Sequence, residues 1–181
     1  MAPRASALAV VAALFGCQRS VPRDVPHTTG AIKIDGEWDE RDWSKTALRG
    51  QFLGEDGQLS RPTSEVRLLG DGSDLFVGLY AADDDIKSTD AFDVALGELK
   101  LHVTATGAVE PPLPGVRAAV DRDGTLDDPS NFDEEWLIEL AVPRAMVRST
   151  MDVAALRCDV PKHGTKRCGS WHGSVSLPAG Q

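Results

Sequence analysis

The chain has no cluster of lysine and arginine, and its acidic residues outnumber the basic ones by 28 to 19. Phosphate backbones are held by clustered cations, so the composition argues against nucleic acid as a partner. Aromatic residues make up only 6% of the chain, with a single Tyr and four Trp, which restricts any stacking platform to a few positions. A G-x-S-x-G elbow, an H-E-x-x-H pair and a glycine-rich phosphate loop are all missing, and nothing in the chain points to catalysis. Glu135 and Glu139 can share one face of a strand, but two carboxylates without a cleft do not make a glycosidase. No C-x-x-C-H is present to attach a haem. No long helical period and no internal repeat occurs, which leaves strands as the material of the fold.

What is there suits one domain: 181 residues, 41% hydrophobic and 26% charged, with a net charge of −9. The longest apolar stretch, Ala5 to Phe15 behind Arg4, is too short to span a bilayer and reads as an export signal. Its end, Leu14-Phe15-Gly16-Cys17, resembles a bacterial lipoprotein signal over residues 1–16, with Cys17 as the lipidated first residue of the mature chain; the alternative is an ordinary secretory signal. Either way the protein is expected outside the cytoplasm, held to the envelope membrane if lipidated. Residues 17–30 hold two prolines and no apolar period, and are expected to form a flexible tether. Residues 31–177 then form the domain, and 178–181 a tail.

Alternation dominates that domain. Val66, Leu68, Leu75, Val77 and Leu79 recur at every second position on either side of Gly70 to Asp74, which predicts a β-hairpin ending in an acidic corner at Asp83 to Asp85. Asp90 to Leu96 and Leu99 to Thr106 alternate in the same way about Gly97-Glu98. Ala31 to Ile34, Thr46 to Leu53, Val116 to Val120, Trp136 to Val142 and Val153 to Val160 read as further strands, with an edge strand possible after Ser170. Short helical turns are expected within Glu37 to Lys45 and Pro143 to Val147, with Trp43 plugging the core. Eight to ten short strands at this spacing predict a single antiparallel β-sandwich of immunoglobulin-like type.

Several motifs occur in an order that resembles a known family. Ile34-Asp35-Gly36 with Asp39-Glu40 and Trp43 opens it, the hairpin and the Asp90 to Leu96 strand follow, and Gly124 to Ser130 with Glu135-Trp136 and Glu139 to Pro143 closes it. This order is similar to that of the carbohydrate-binding module family 9-like domains, related in fold to DOMON domains. The resemblance implies a β-sandwich that binds sugar ends without catalysis, with calcium ions in its loops. Function transfers less readily than fold, so a second reading stands beside the first: a structural or protein-interaction lipoprotein without a sugar ligand.

Sugar rings need exposed aromatic platforms flanked by polar groups. Trp43 and Trp136 match structural positions of the family, which leaves Trp38 and Trp171 as the candidate platforms for a polysaccharide or oligosaccharide; the alternative places both on the rim of the core. Asp121, Asp123 and Asp127 alternate around Gly124 as hard oxygen ligands do, and Asp83, Asp84, Asp85, Asp90 and Asp93 form a second acidic corner, in which Asp83 and Asp85 are the first candidate ligands. Both are candidate calcium sites, set against plain solvated turns. Cys158 and Cys168 are expected to form a disulfide in an exported protein. The competing pattern is a zinc site, because Cys158, His163, Cys168 and His172 run as C-x4-H-x4-C-x3-H.

Overall fold

The computed structural model describes residues 21–178, and nearly all of their regular structure is strand. In chain order these are β1 (Arg23–Asp24), β2 (Leu48–Gln51), β3 (Leu53–Gly54), β4 (Ser64–Gly70), β5 (Asp74–Ala82) and β6 (Ala91–Leu96). They continue as β7 (Leu99–Thr104), β8 (Val109–Glu110), β9 (Arg117–Asp123), β10 (Glu135–Pro143), β11 (Thr150–Asp159) and β12 (Arg167–Ser176). One helix, α1 (Arg41–Lys45), and a 3-10 turn at Arg144–Met146 stand where short helical turns were expected. Twelve strands exceed the eight to ten read from the sequence because β1, β3 and β8 have two residues each, too few to show a period.

The strands form two sheets. The smaller runs β2-β4-β5-β10-β9, and the larger runs β1-β12-β11-β6-β7-β8 with β3 also on β12. The predicted hairpin pairs Val66 with Leu79 and Leu68 with Val77, and all four side chains are at most 1% exposed in the core between the sheets. Trp136, Ile138 and Leu140 of β10 join them from the same sheet, and Phe92, Val94, Val153 and Val175 face them from the other. Phe92 packs on Trp136 at 5.1 Å between ring centroids, so the two sheets meet through aromatic contact.

The outer face of the smaller sheet is closed as well, by residues 31–47. Ile32, Ile34, Trp38 and Trp43 lie over Leu69, Phe76 and Ala141, the residues of β4, β5 and β10 that point away from the main core. The polar centre of this layer is Glu139, fully buried on β10. It accepts backbone N–H groups from Asp35 at 2.9 Å and Gly36 at 3.0 Å, and the Trp43 indole N–H at 2.7 Å. Burial pushes the Glu139 carboxyl up to about 7, against the pull of those three donors. Gly36 has φ 96°, and a Cβ there would stand 2.3 Å from the backbone of Asp121, so the turn admits only glycine. The order Ile34-Asp35-Gly36 … Trp43 … Glu139 is thus one packed unit: a lid strapped to its sheet by a buried carboxyl.

Three sequence readings change. Ala31 to Ile34 does not pair as a strand; it crosses the sheet as extended chain and contributes only side chains. The tether reading fails from Arg23 onward. Strand β1 pairs in parallel with β12, Val25 is 2% exposed in the core, and His27 bridges Gly70. A two-residue strand and one valine leave no periodic signal, though they suffice to pack the segment. The segment after Ser170 is not an edge. It belongs to β12, which has β11 on one side and β1 and β3 on the other. The export signal over 1–16, Cys17 and the last three residues lie outside the described residues. Among the described residues no helix is long and apolar enough to cross a membrane.

Candidate functional site

With the smaller sheet covered by its lid, the larger sheet presents the free outer face. Strand parity decides what stands there. Asp93 and Ala95 of β6, Lys100 and His102 of β7, Ala154 and Leu156 of β11, and Ser170 and His172 of β12 all point away from the core. Together with Glu110, Pro111 and the half-buried Trp171 they line a cleft of about 670 Å³. Its floor is apolar: Ala95 lies opposite Ala154 across the β6–β11 pair, and Leu156, beside them, is 39% exposed. Its rim is polar, and His102 Nδ1 lies 2.8 Å from a carboxylate oxygen of Asp93. An apolar floor with a few convergent polar groups is the form of a small-ligand site. A second cleft of about 780 Å³ lies between the loop at 54–61 and residues 166–168. It is built from loop side chains carrying both signs of charge, without a continuous apolar floor, and is the weaker candidate.

The tryptophans named as platforms do not come together. Trp38 belongs to the lid. It lies against Gly78, where a Cβ would meet its ring at 2.8 Å, and the Arg67 guanidinium stands 4.2 Å from its ring centroid. Trp43 stacks beside it at 5.9 Å. Trp171 has the parity of Ala155, points into the sandwich and covers Gly50 on β2, where a Cβ would meet the indole nitrogen at 2.1 Å. The two rings therefore lie on opposite faces of the smaller sheet. Each fills a space left by a glycine, and the paired-platform reading is corrected: both are packing residues.

The acidic corners also resolve differently. Asp121 and Asp123 lie on β9, an edge strand, with exposed side chains rather than in a loop. Asp127 accepts the Ser88 backbone N–H at 3.0 Å, and that bond holds its carboxyl below the usual range. Asp85 pairs with Lys87 at 2.8 Å. The loop after β9 is instead organised by Asp133, 4% exposed, which accepts the backbone N–H groups of Ile86 at 2.7 Å and Thr125 at 2.9 Å. Carboxylates in this corner serve mainly as acceptors for backbone amides that the strands leave unpaired. The five candidate ligands Asp121, Asp123, Asp127, Asp83 and Asp85 do not converge; from the second acidic corner Asp83 and Asp90 do come together, in a three-carboxylate cluster with Asp159. Asp159 lies 76 residues beyond Asp83, too far for any local motif to join them.

Cys158 and Cys168 face each other across the β11–β12 pair and form a disulfide with an S–S distance of 2.03 Å. This removes two ligands from the zinc pattern and ends that alternative.

No protein-family model matches the chain, and no curated protein matches it. Solved structures do. A carbohydrate-binding module family 9 domain from Caldicellulosiruptor kristjanssonii in complex with glucose superposes with a TM-score of 0.58 at 12% identity, covering 88% of this chain and 96% of that one. The same organism's family 9 module in complex with cellotriose gives 0.57 at 12% identity, covering 88% and 94%. A candidate carbohydrate-binding protein from Bacteroides uniformis gives 0.57 at 12% identity, covering 86% and 98%. At this identity the likeness establishes the fold: a family 9-like β-sandwich.

Proposed function

We propose that the protein is a non-catalytic carbohydrate-binding module that takes a short sugar chain or a chain end on the open face of its larger sheet. The observation that carries this reading is the cleft over Ala95, Ala154 and Leu156, ringed by Asp93, Lys100, His102, Glu110, Ser170 and His172. Methyl and leucine side chains accept the apolar face of a sugar ring, and the rim offers both donors and acceptors to its hydroxyls. The structural neighbours bound to glucose and to cellotriose support saccharides as the ligand class. The module is further proposed to act outside the cytoplasm, anchored through lipidated Cys17.

One feature favours the second reading, a protein-interaction lipoprotein. The one aromatic ring bordering the cleft, Trp171, is half-buried over Gly50 rather than laid open as a platform, so sugar affinity is expected to be weak, in the millimolar to high-micromolar range. Affinity electrophoresis against soluble plant and bacterial polysaccharides separates the two. Retardation by at least one glycan that is lost in Leu156→Asp, with an unchanged melting temperature, supports the sugar module. Unretarded migration in every gel supports the interaction reading.

A further inference from the structure

We infer that the cleft between the loop at 54–61 and the start of β12 binds an acidic saccharide, its anionic group held by Arg61, Lys166, Arg167 and the Ser60 hydroxyl. The cleft measures about 780 Å³, within the range of small-ligand pockets, and all four residues line it. The sequence shows no basic cluster because the members come from two distant segments. They meet only when Leu53 and Gly54 of β3 pair with Ser170 and Gly169 of β12. Carboxylates are in excess in this chain of net charge −9, and Lys33, Lys87, Arg117 and Arg148 each pair with one. Among the described residues, Arg61, Lys166 and Arg167 pair with none.

The second observation is Ser60. It is 7% exposed, and its hydroxyl has no hydrogen-bond partner among the described residues. A buried hydroxyl in that state carries a desolvation cost that an acceptor on a ligand removes. Its position is fixed by its surroundings. The Ser60 N–H bonds the Phe52 carbonyl at 2.9 Å, and the Gly54 N–H bonds the Gln58 carbonyl at 2.8 Å, which closes the loop on itself. Gly169 makes room for the side chain, since a Cβ there would stand 2.5 Å from the Ser60 Cβ. Lys166 and Arg167 directly precede Cys168, whose disulfide to Cys158 holds the start of β12. Walls anchored in this way lose little freedom on binding.

The donor set decides the ligand class. Two guanidinium forks and an ammonium match the oxygens of a carboxylate or a phosphate, and the Ser60 hydroxyl adds a neutral donor. Glu55 and Asp56 line the same cleft and would repel an anion, but they accept hydroxyl protons. Leu59, 58% exposed in the same lining, offers apolar contact to a ring face. A bare anion uses only the cations, and a neutral sugar leaves them without a partner. A sugar that carries an acid, as a uronate or a sugar phosphate does, uses both sets.

The lining differs from that of the open-face cleft, so this inference and the proposed function fail separately. Isotope-labelled full-length protein is titrated with glucuronate, glucose 6-phosphate, glucose and inorganic phosphate, and amide chemical shifts are followed. Glucuronate or glucose 6-phosphate should give saturable shifts at Ser60, Arg61 and Arg167 that weaken as salt is added. Arg61→Gln and Arg167→Gln, both at exposed positions, should each lower that affinity by roughly a factor of ten. Glucose should leave these amides unmoved, wherever else it binds. No shift there with either acidic sugar up to about tens of millimolar overturns the inference. The partner of the Ser60 hydroxyl is then a water in the cavity of about 10 Å³ that it shares with Arg157. Equal shifts with inorganic phosphate and glucose 6-phosphate, and none with glucuronate, also overturn it, since they mark an adventitious ion only. Affinity unchanged in both variants overturns it by placing the anion elsewhere.

Discussion

Glu139 is the residue on which the lid depends. Three N–H donors converge on its two oxygens, and no exposed group can replace it, because the layer formed by Ile32, Ile34, Trp38 and Trp43 shuts out water. Glu139→Ala should destabilise the fold by about 3 kcal/mol, since it orphans buried donors as well as removing volume. Chemical denaturation of the variant checks this. Titration gives a second prediction. A carboxyl raised from its ordinary value to about 7 binds a proton in the folded state that the unfolded chain has already released. Stability from this group is therefore complete below about 4.5 and lost as the pH rises through 7. The stability difference between the wild type and Glu139→Gln should shrink over that interval, and a difference that stays flat from pH 4 to pH 8 would contradict the burial argument. The sequence showed Glu139 as the one polar residue of an apolar strand, which marked it as unusual. Its partners sit about a hundred residues away at Asp35, Gly36 and Trp43, and only the family resemblance placed them in one frame.

Elements were legible where their side chains repeat. The β4–β5 and β6–β7 hairpins were readable because every second residue is apolar and glycine-bearing turns separate the runs. Three-dimensional register was less legible. On a strand, one residue of slip turns a ring from solvent to core. Trp171 was read as a platform and points inward, because its facing direction is set by pairing with Ala155 rather than by its own neighbours. The glycines beneath the two tryptophans were the available signal. Gly50 and Gly78 interrupt strands with no turn to make, which is what close approach of another group requires. Adding a methyl there forces backbone or ring to move. Gly50→Ala and Gly78→Ala should each cost roughly 1–3 kcal/mol, and a loss below 0.5 kcal/mol in thermal melts would show that the indoles are free to shift. The β11–β12 disulfide acts at the same scale. It encloses an eleven-residue segment, and its removal by Cys158→Ala with Cys168→Ala should cost on the order of 2–3 kcal/mol.

At the scale of the whole molecule, the proposed function rests on which face is free. A sandwich has two outer faces, and the chain spends residues 31–47 closing one of them. The larger sheet keeps a half-apolar cleft on its outer face, while Asp83, Arg157 and Asp159 are buried at the ends of β5 and β11. Fold class was legible in the sequence because strand spacing and motif order are properties of the whole chain. The cleft was not, since its lining is drawn from β6, β7, β8, β11 and β12, and no single stretch contributes more than a few residues.

The measurement that bears most directly on this account is a titration of isotope-labelled protein with glucose and cello-oligosaccharides, followed by amide chemical shifts. Saturable shifts confined to Ala95, His102, Ala154, Leu156 and His172 on the open face are expected. Shifts centred on the Trp38 lid, or none with any saccharide up to tens of millimolar, would contradict it.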